Sequence, residues 1–159
     1  MTEETNPDEG ADYATPLGLV EELTATYIQL KAAIAVVEDD DLLFDVKRGN
    51  HECVALDAQR VASVAVIAEV QAAFERAWHL VFRSRHGKRF EPAMRSLSSR
   101  LVKIGWIANE PLPDPFKEGF SKARMHRMAL YDHLVSARDV AEQLLKMALA
   151  TGPATFTEE

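Results

Sequence analysis

The chain of 159 residues is 47% apolar and 27% charged, with a net charge of −7. These are ordinary values for a globular protein, so the composition excludes a chain that is disordered throughout or embedded in a membrane. Its one cysteine, Cys53, cannot form an internal disulfide, which favours a reducing, cytoplasmic location.

The length indicates one domain, which we place at residues 15–151 between a flexible acidic tail at 1–14 and a flexible carboxyl terminus at 152–159. The first residues lack the basic start and apolar stretch of a secretory signal. The longest apolar run, VASVAVIA, ends at Glu69 and is too short to cross a bilayer. We therefore expect no membrane partner.

The first predicted helix opens with Thr15 as its cap and Pro16 as its first residue, and it ends near Glu38. Its apolar residues alternate at spacings of four and three, which indicates a seam against another helix. These residues are Leu23, Tyr27, Leu30, Ile34 and Val37.

A second, unusually long helix is predicted over about 51–85, with Asn50 as its cap and Gly87 as a left-handed stop. Its apolar face comprises Leu56, Ser63, Ile67, Val70, Phe74, Trp78 and Val81. A stripe of small residues offers another helix a close approach, and it comprises Ala58, Ala65, Ala68 and Ala72.

The third helix starts near Pro92 and stops at the stiff connector NEPLPDP. Its apolar face comprises Met94, Leu97, Leu101, Ile104 and Ala108. The fourth opens at Asp114 and Pro115 and ends at TGP, with an apolar side of Phe116, Phe120, Tyr131, Leu134, Leu145 and Leu149. Since no strand-like alternation occurs, the sequence predicts an all-α bundle of about four main helices.

Charge is distributed unevenly along the chain. Residues 1–45 hold twelve acids and one base, a net −11, which leaves +4 for the remainder. A local excess of +6 lies in residues 83–103, from Arg83, Arg85, Lys88, Arg89, Arg95, Arg100 and Lys103 against Glu91. This segment predicts binding of an acidic protein surface, with nucleic acid as the alternative partner.

A helical wheel places Arg127 and Arg138 within the apolar sector of the fourth helix. A charged side chain there must pair with an acid, extend to the edge of the bundle, or face a cleft or a subunit contact. Arg127 and His133 are separated by five residues, a spacing similar to the arginine and histidine motif of HEPN-domain ribonucleases. That resemblance implies metal-independent RNA cleavage on a dimeric helical bundle. His133 would act near the ribose 2′ hydroxyl, and Arg127 would steady the phosphate.

No metal site or cofactor is indicated, because the histidines lack the spacing that zinc ligands on one helix require. We interpret Trp78 and Trp106 as packing residues. The sequence thus favours a non-catalytic helical interaction or assembly subunit that self-associates and binds a protein partner. The alternatives are the HEPN-like endoribonuclease using Arg127 and His133, and a non-catalytic nucleic-acid-binding subunit.

Overall fold

The computed structural model describes residues 14–37, 52–110 and 120–152, with backbone alone for 52–61 and 120–124. These ranges contain four helices, α1 (Leu19–Val37), α2 (Glu52–Arg83), α3 (Glu91–Asn109) and α4 (Phe120–Ala150), a 3₁₀ turn (Lys88–Phe90) and no β-strand. The predicted all-α bundle with a long second helix is confirmed. Residues 1–13 of the proposed tail, residues 153–159 of the proposed carboxyl terminus, and the caps Asn50 and Asp114 lie outside the described residues.

Each helix packs on the next one in the chain, and α4 closes the ring against α1. Neighbouring helices are antiparallel, because contacts join the start of one to the end of the next. Arg76 near the end of α2 binds Glu22 near the start of α1 at 2.9 Å. His126 near the start of α4 meets the Ile107 carbonyl near the end of α3. The fold is therefore an up-down-up-down four-helix bundle.

The core follows the predicted faces of α1 and α3. On α1, Leu23, Leu30, Ile34 and Val37 are buried, and Tyr27 packs at the edge of the core. All five residues predicted for α3 are buried. In both helices large apolar residues recur once per turn on a single face, so the periodicity alone identifies the buried side.

The predicted face of α4 is partly wrong. Leu134 is buried, but Leu149 is 63% exposed. Small side chains supply much of the buried face, which comprises Leu130, Leu134, Ala137, Ala141, Leu144 and Ala148. Alanine leaves room for neighbouring helices to approach closely, and a pattern read from large side chains misses it.

The small-residue stripe predicted for α2 is not buried at the three positions whose side chains the structure describes, and the Ala58 side chain lies outside the described part. Ala65, Ala68 and Ala72 are exposed. The buried alanines of α2 are instead Ala73 and Ala77.

Two helices, rather than one, are long. Helices α2 and α4 contain 32 and 31 residues, about 47 Å each at 1.5 Å per residue. Helices α1 and α3 contain 19 residues each, or about 28 Å. All four helices reach the end of the bundle where Thr15, Arg89 and Thr151 come together. The two longer helices therefore extend past the two shorter ones at the opposite end. We call the meeting point of these three residues the Thr15 end.

Thr15 does not cap α1, which begins at Leu19 rather than Pro16. Its amide donates to the Gly152 carbonyl at 2.8 Å, and its hydroxyl donates to the Ala148 carbonyl at 2.6 Å. Gly18 then takes a φ of 86°, a left-handed conformation that glycine adopts without steric cost. Thr15 thereby satisfies carbonyls at the carboxyl end of α4, which have no partner within that helix.

The left-handed cap predicted at Gly87 is wrong, since its φ is −83°. Glycine is required there for another reason. A Cβ atom on residue 87 would lie 2.0 Å from the Val81 carbonyl oxygen, so the chain can leave α2 this tightly only without a side chain.

Candidate interaction surface

A groove runs between α2 and α3 on the outer side of the bundle. Two adjoining hollows of about 370 and 720 Å³ form it, both lined by Gln71 and Val102. The smaller hollow lies between Trp78 and Ser98, and the larger lies beside Trp106. The contact between α2 and α3 is the least extensive of the four between neighbouring helices.

An aromatic row on α2 includes two residues of the smaller hollow, Phe74 and Trp78, and continues past it to Phe82. Phe74, Trp78 and Phe82 are spaced by four residues and therefore share one side of the helix. The Phe74 and Trp78 ring centroids are 5.7 Å apart, and those of Trp78 and Phe82 are 4.7 Å apart in an edge-to-face arrangement. The row starts with the buried Phe74 and ends with Phe82, which is 50% exposed.

Helix α3 adds two apolar side chains to the same side of the bundle. Val102 is 47% exposed and Trp106 is 69% exposed, so Trp106 is a surface residue and its predicted packing role is wrong. A Cβ atom on Gly105 would lie 3.1 Å from the Gln71 side-chain amide. Glycine thus leaves room for the Gln71 side-chain amide at this level, while the indole beside it is exposed.

The sequence contained a signal for this surface. Val102 and Trp106 are one helical turn apart and lie away from the buried face of α3, where an amphipathic helix ordinarily carries polar residues. Phe82 likewise follows Trp78 by one turn. Large apolar side chains on the polar side of such a helix indicate a binding surface.

The basic segment 83–103 separates into groups with different surroundings. Arg83, Arg85 and Lys88 are exposed around the α2–α3 turn, and Arg95 and Lys103 are exposed on α3. Arg89 donates a hydrogen bond of 2.6 Å to the Thr151 hydroxyl and lies 4.3 Å from the Phe90 ring centroid. Arg100 is half-buried. The seven cations therefore differ in exposure, and Arg89 is engaged in contacts at the Thr15 end.

Arg127 contacts the carboxyl end of another helix. Its Nη1 donates a hydrogen bond of 2.7 Å to the carbonyl of Val37, the last residue of α1. A cation at this position satisfies a terminal carbonyl and complements the negative end of the helix dipole. The neighbouring His126 lies at the carboxyl end of α3, with Nε2 at 3.0 Å from the Ile107 carbonyl and 3.6 Å from the Glu110 carboxylate.

Arg127 and His133 are six positions apart on α4, which separates them by about 120° around the helix and 9 Å along it. Since Arg127 reaches α1 and the adjacent His126 reaches α3, His133 lies toward the α3 side of α4. Arg138, the other arginine of the predicted sector, lies 3.1 Å from the Asp139 carboxylate. The structure of the single chain does not bring Arg127 and His133 onto one face.

The described residues hold no group of three or more histidine, cysteine, aspartate or glutamate side chains that could bind a metal ion. Glu75 and His79, one turn apart on α2, are both exposed. The Cys53 side chain lies outside the described part.

The chain matches no protein-family model, no curated protein and no solved structure. Among the helices that the structure describes, none has both the length and the apolar character needed to cross a bilayer.

Proposed function

We propose that the protein is a non-catalytic helical subunit that self-associates through the groove between α2 and α3. The observation that carries this proposal is the exposure of Trp106 and Val102 in the lining of that groove, together with the exposed Phe82, which packs on the groove residue Trp78. Isolated apolar residues are common on protein surfaces. A set of them on two neighbouring helices in and beside a hollow is typical of an interaction site instead.

A second copy of the chain is the proposed occupant because a projection and a hollow lie side by side on this surface. Trp106 projects from α3, and the hollow of about 370 Å³ lies next to it between Trp78 and Ser98. In a two-fold dimer the same patch contacts itself, so each copy's Trp106 enters the other copy's hollow. Tryptophan is also among the residues that most often dominate binding energy at interfaces.

The charge distribution supports self-association. The chain carries a net −11 over residues 1–45 and +4 over the remainder, so one copy offers both signs of charge to another. Unlike charges steer association and fix the orientation of the two copies. We further propose a cytoplasmic location, which the single cysteine of the chain favours.

Light scattering after size-exclusion chromatography tests the proposal at several protein concentrations. We expect a dimer for the natural chain and a roughly 30-fold weaker association for Trp106→Glu, the loss of about 2 kcal/mol that defines a hot spot. Ile28→Glu is the matched control, because Ile28 is 56% exposed on α1, away from the groove. It should leave the dimer intact.

Two results would overturn the proposal. One is a natural chain that stays monomeric up to high micromolar concentration, which would direct attention to a different protein as the occupant of the groove. The other is a dimer that Trp106→Glu and Ile28→Glu weaken equally.

A further inference from the structure

We infer that Arg100 on α3 and His133 on α4 form an anion-binding site that takes a phosphate group of a small molecule. Both side chains are half-buried, and they lie between α3 and α4, away from the groove between α2 and α3. The inference therefore does not rest on the proposed dimer. We call these two residues the Arg100 site.

Arg100 buries the Nε atom of its guanidinium without a hydrogen-bond partner. Arg89 and Arg127 also bury Nε, yet each donates a hydrogen bond through another guanidinium nitrogen. The described residues provide Arg100 with neither a hydrogen bond nor an ion pair. Because a buried donor without a partner destabilises a folded chain, an unpaired guanidinium indicates a ligand that supplies the acceptor.

The register of the two helices places His133 beside Arg100. His126 Nε2 lies 3.0 Å from the Ile107 carbonyl, and the two helices are antiparallel. His133 follows His126 by seven residues, and Arg100 precedes Ile107 by seven. Each step covers about two turns, or about 10.5 Å, in the same direction along the bundle, and it returns to nearly the same side of its helix. Arg100 and His133 therefore lie at one level of the interface between α3 and α4.

Apolar side chains enclose this level of the interface. The buried residues that flank it, one turn to either side on each helix, are Leu97, Ile104, Leu130 and Ala137. Arg100 and His133 themselves are partly exposed beside this interior, so a small solute can reach them from solvent. Attraction between charges is stronger next to apolar atoms than on a fully exposed surface, because water screens it less.

The charges around the Arg100 site favour an anion. Helix α3 carries no acid beyond its first residue, and Lys103 exposes a second cation less than one turn from Arg100. On α4 the acid next to His133 is Asp132, which is exposed and lies about 100° further around the helix. It forms no ion pair with Arg100 in the described part of the chain. The positive charge of Arg100 is thus available to a ligand.

A phosphate group fits the donors of the Arg100 site. A guanidinium presents its N–H groups as a planar fork that matches two phosphate oxygens, and an imidazole N–H can donate to a third. A carboxylate has only two oxygens, so it leaves the imidazole without an acceptor of its own. The axes of packed helices are about 8–10 Å apart, which suits a single small group rather than a folded acidic surface.

An NMR titration of the isotopically labelled full chain with inorganic phosphate, at constant pH and ionic strength, tests the inference. We expect the Arg100 Nε–H and His133 ring resonances to shift together and to saturate, with a Kd in the millimolar range. The ring of His79, which is exposed on α2, should not shift. Glycerol phosphate in a second titration distinguishes the sources, since tighter binding of this compound identifies a phosphate monoester and weaker binding identifies free phosphate.

Two pairs of variants supply matched controls. Arg100→Gln should weaken phosphate binding roughly tenfold or more, because it removes charged donors. Arg95→Gln removes an arginine of the same helix that is 65% exposed, and it should leave binding unchanged. His133→Gln should weaken binding roughly threefold by removing one neutral donor, and His79→Gln is its control.

The Arg100 Nε–H shift is measured in the natural chain, so the test does not depend on the folding of a variant. Absence of a saturable shift at Arg100 and His133 overturns the inference. So does equal weakening by Arg100→Gln and Arg95→Gln, which would mean that phosphate responds only to the general positive charge of α3.

Discussion

Helices α1 and α3 occupy opposite corners of the ring, and their neighbours bury them to different extents. Helix α1 has seven buried residues, and its contact with α2 is the most extensive in the bundle. Helix α3 has the same length but five buried residues, and its contact with α2 is the least extensive between neighbours. We infer that the α1 corner mainly supplies stability, while the α3 corner leaves apolar surface for recognition.

The largest difference in the free energy of unfolding is expected between the truncation of a buried side chain on α1 and that of an exposed side chain on α3. Leu30 on α1 is fully buried, and Trp106 on α3 is 69% exposed. Leu30→Ala should lower the free energy of unfolding by about 2–5 kcal/mol, because it leaves a cavity in the core. Trp106→Ala should lower it by less than about 1 kcal/mol. Urea denaturation of both variants at low concentration checks this, and equal losses would remove the contrast between the corners.

A second pair of substitutions enlarges a side chain on each helix instead of truncating it. Ala33 on α1 is fully buried, whereas Ser99 on α3 is exposed. Ala33→Leu should cost about 1–3 kcal/mol, since the added atoms force α1 away from its neighbours. Ser99→Leu should stay within about 0.5 kcal/mol of the natural chain. Thermal unfolding followed by circular dichroism measures both, and a tolerated leucine at position 33 would mean that the α1 corner is loosely packed.

The smallest difference in the free energy of unfolding is expected between substitutions of two arginines. Arg127 donates to the Val37 carbonyl that ends α1, whereas Arg95 on α3 is 65% exposed and lies 3.7 Å from Glu91. Arg127→Gln should cost about 1–2 kcal/mol by leaving a terminal carbonyl without its charged donor. Arg95→Gln should cost less than about 0.5 kcal/mol, as exposed ion pairs contribute little. Were the two losses equal in urea denaturation, Arg127 would not be the structural contact that α1 requires.

The amphipathic helices were predictable because their pattern is local. All five core residues of α3 followed from spacing alone, and so did the extent of α2, predicted at about 51–85 and found at Glu52–Arg83. The exposed apolar set could have been recognised in part, because Val102 and Trp106 depart from the polar side of α3. The hollow beside them could not, since it depends on how closely α2 and α3 approach.

The hydrogen-bond partner of Arg127 could not be predicted from a helical wheel. The wheel identifies a cation at an unusual position, but its partner is a carbonyl 90 positions away in the chain. The same limit applies to Thr15, whose sequence context favours a helix cap and whose actual contacts are 133 and more positions distant. In both cases the partner is a backbone carbonyl of another helix, which no pattern within one segment of the sequence identifies.

By itself, the sequence determined four amphipathic helices, because helical periodicity acts between residues within two turns of each other. It also determined the separation of charge along the chain. Only the tertiary structure decided which apolar residues are left in solvent and which ends of the helices meet. Burial and chain proximity are properties of several helices packed together, so the groove emerges only when all four are in place.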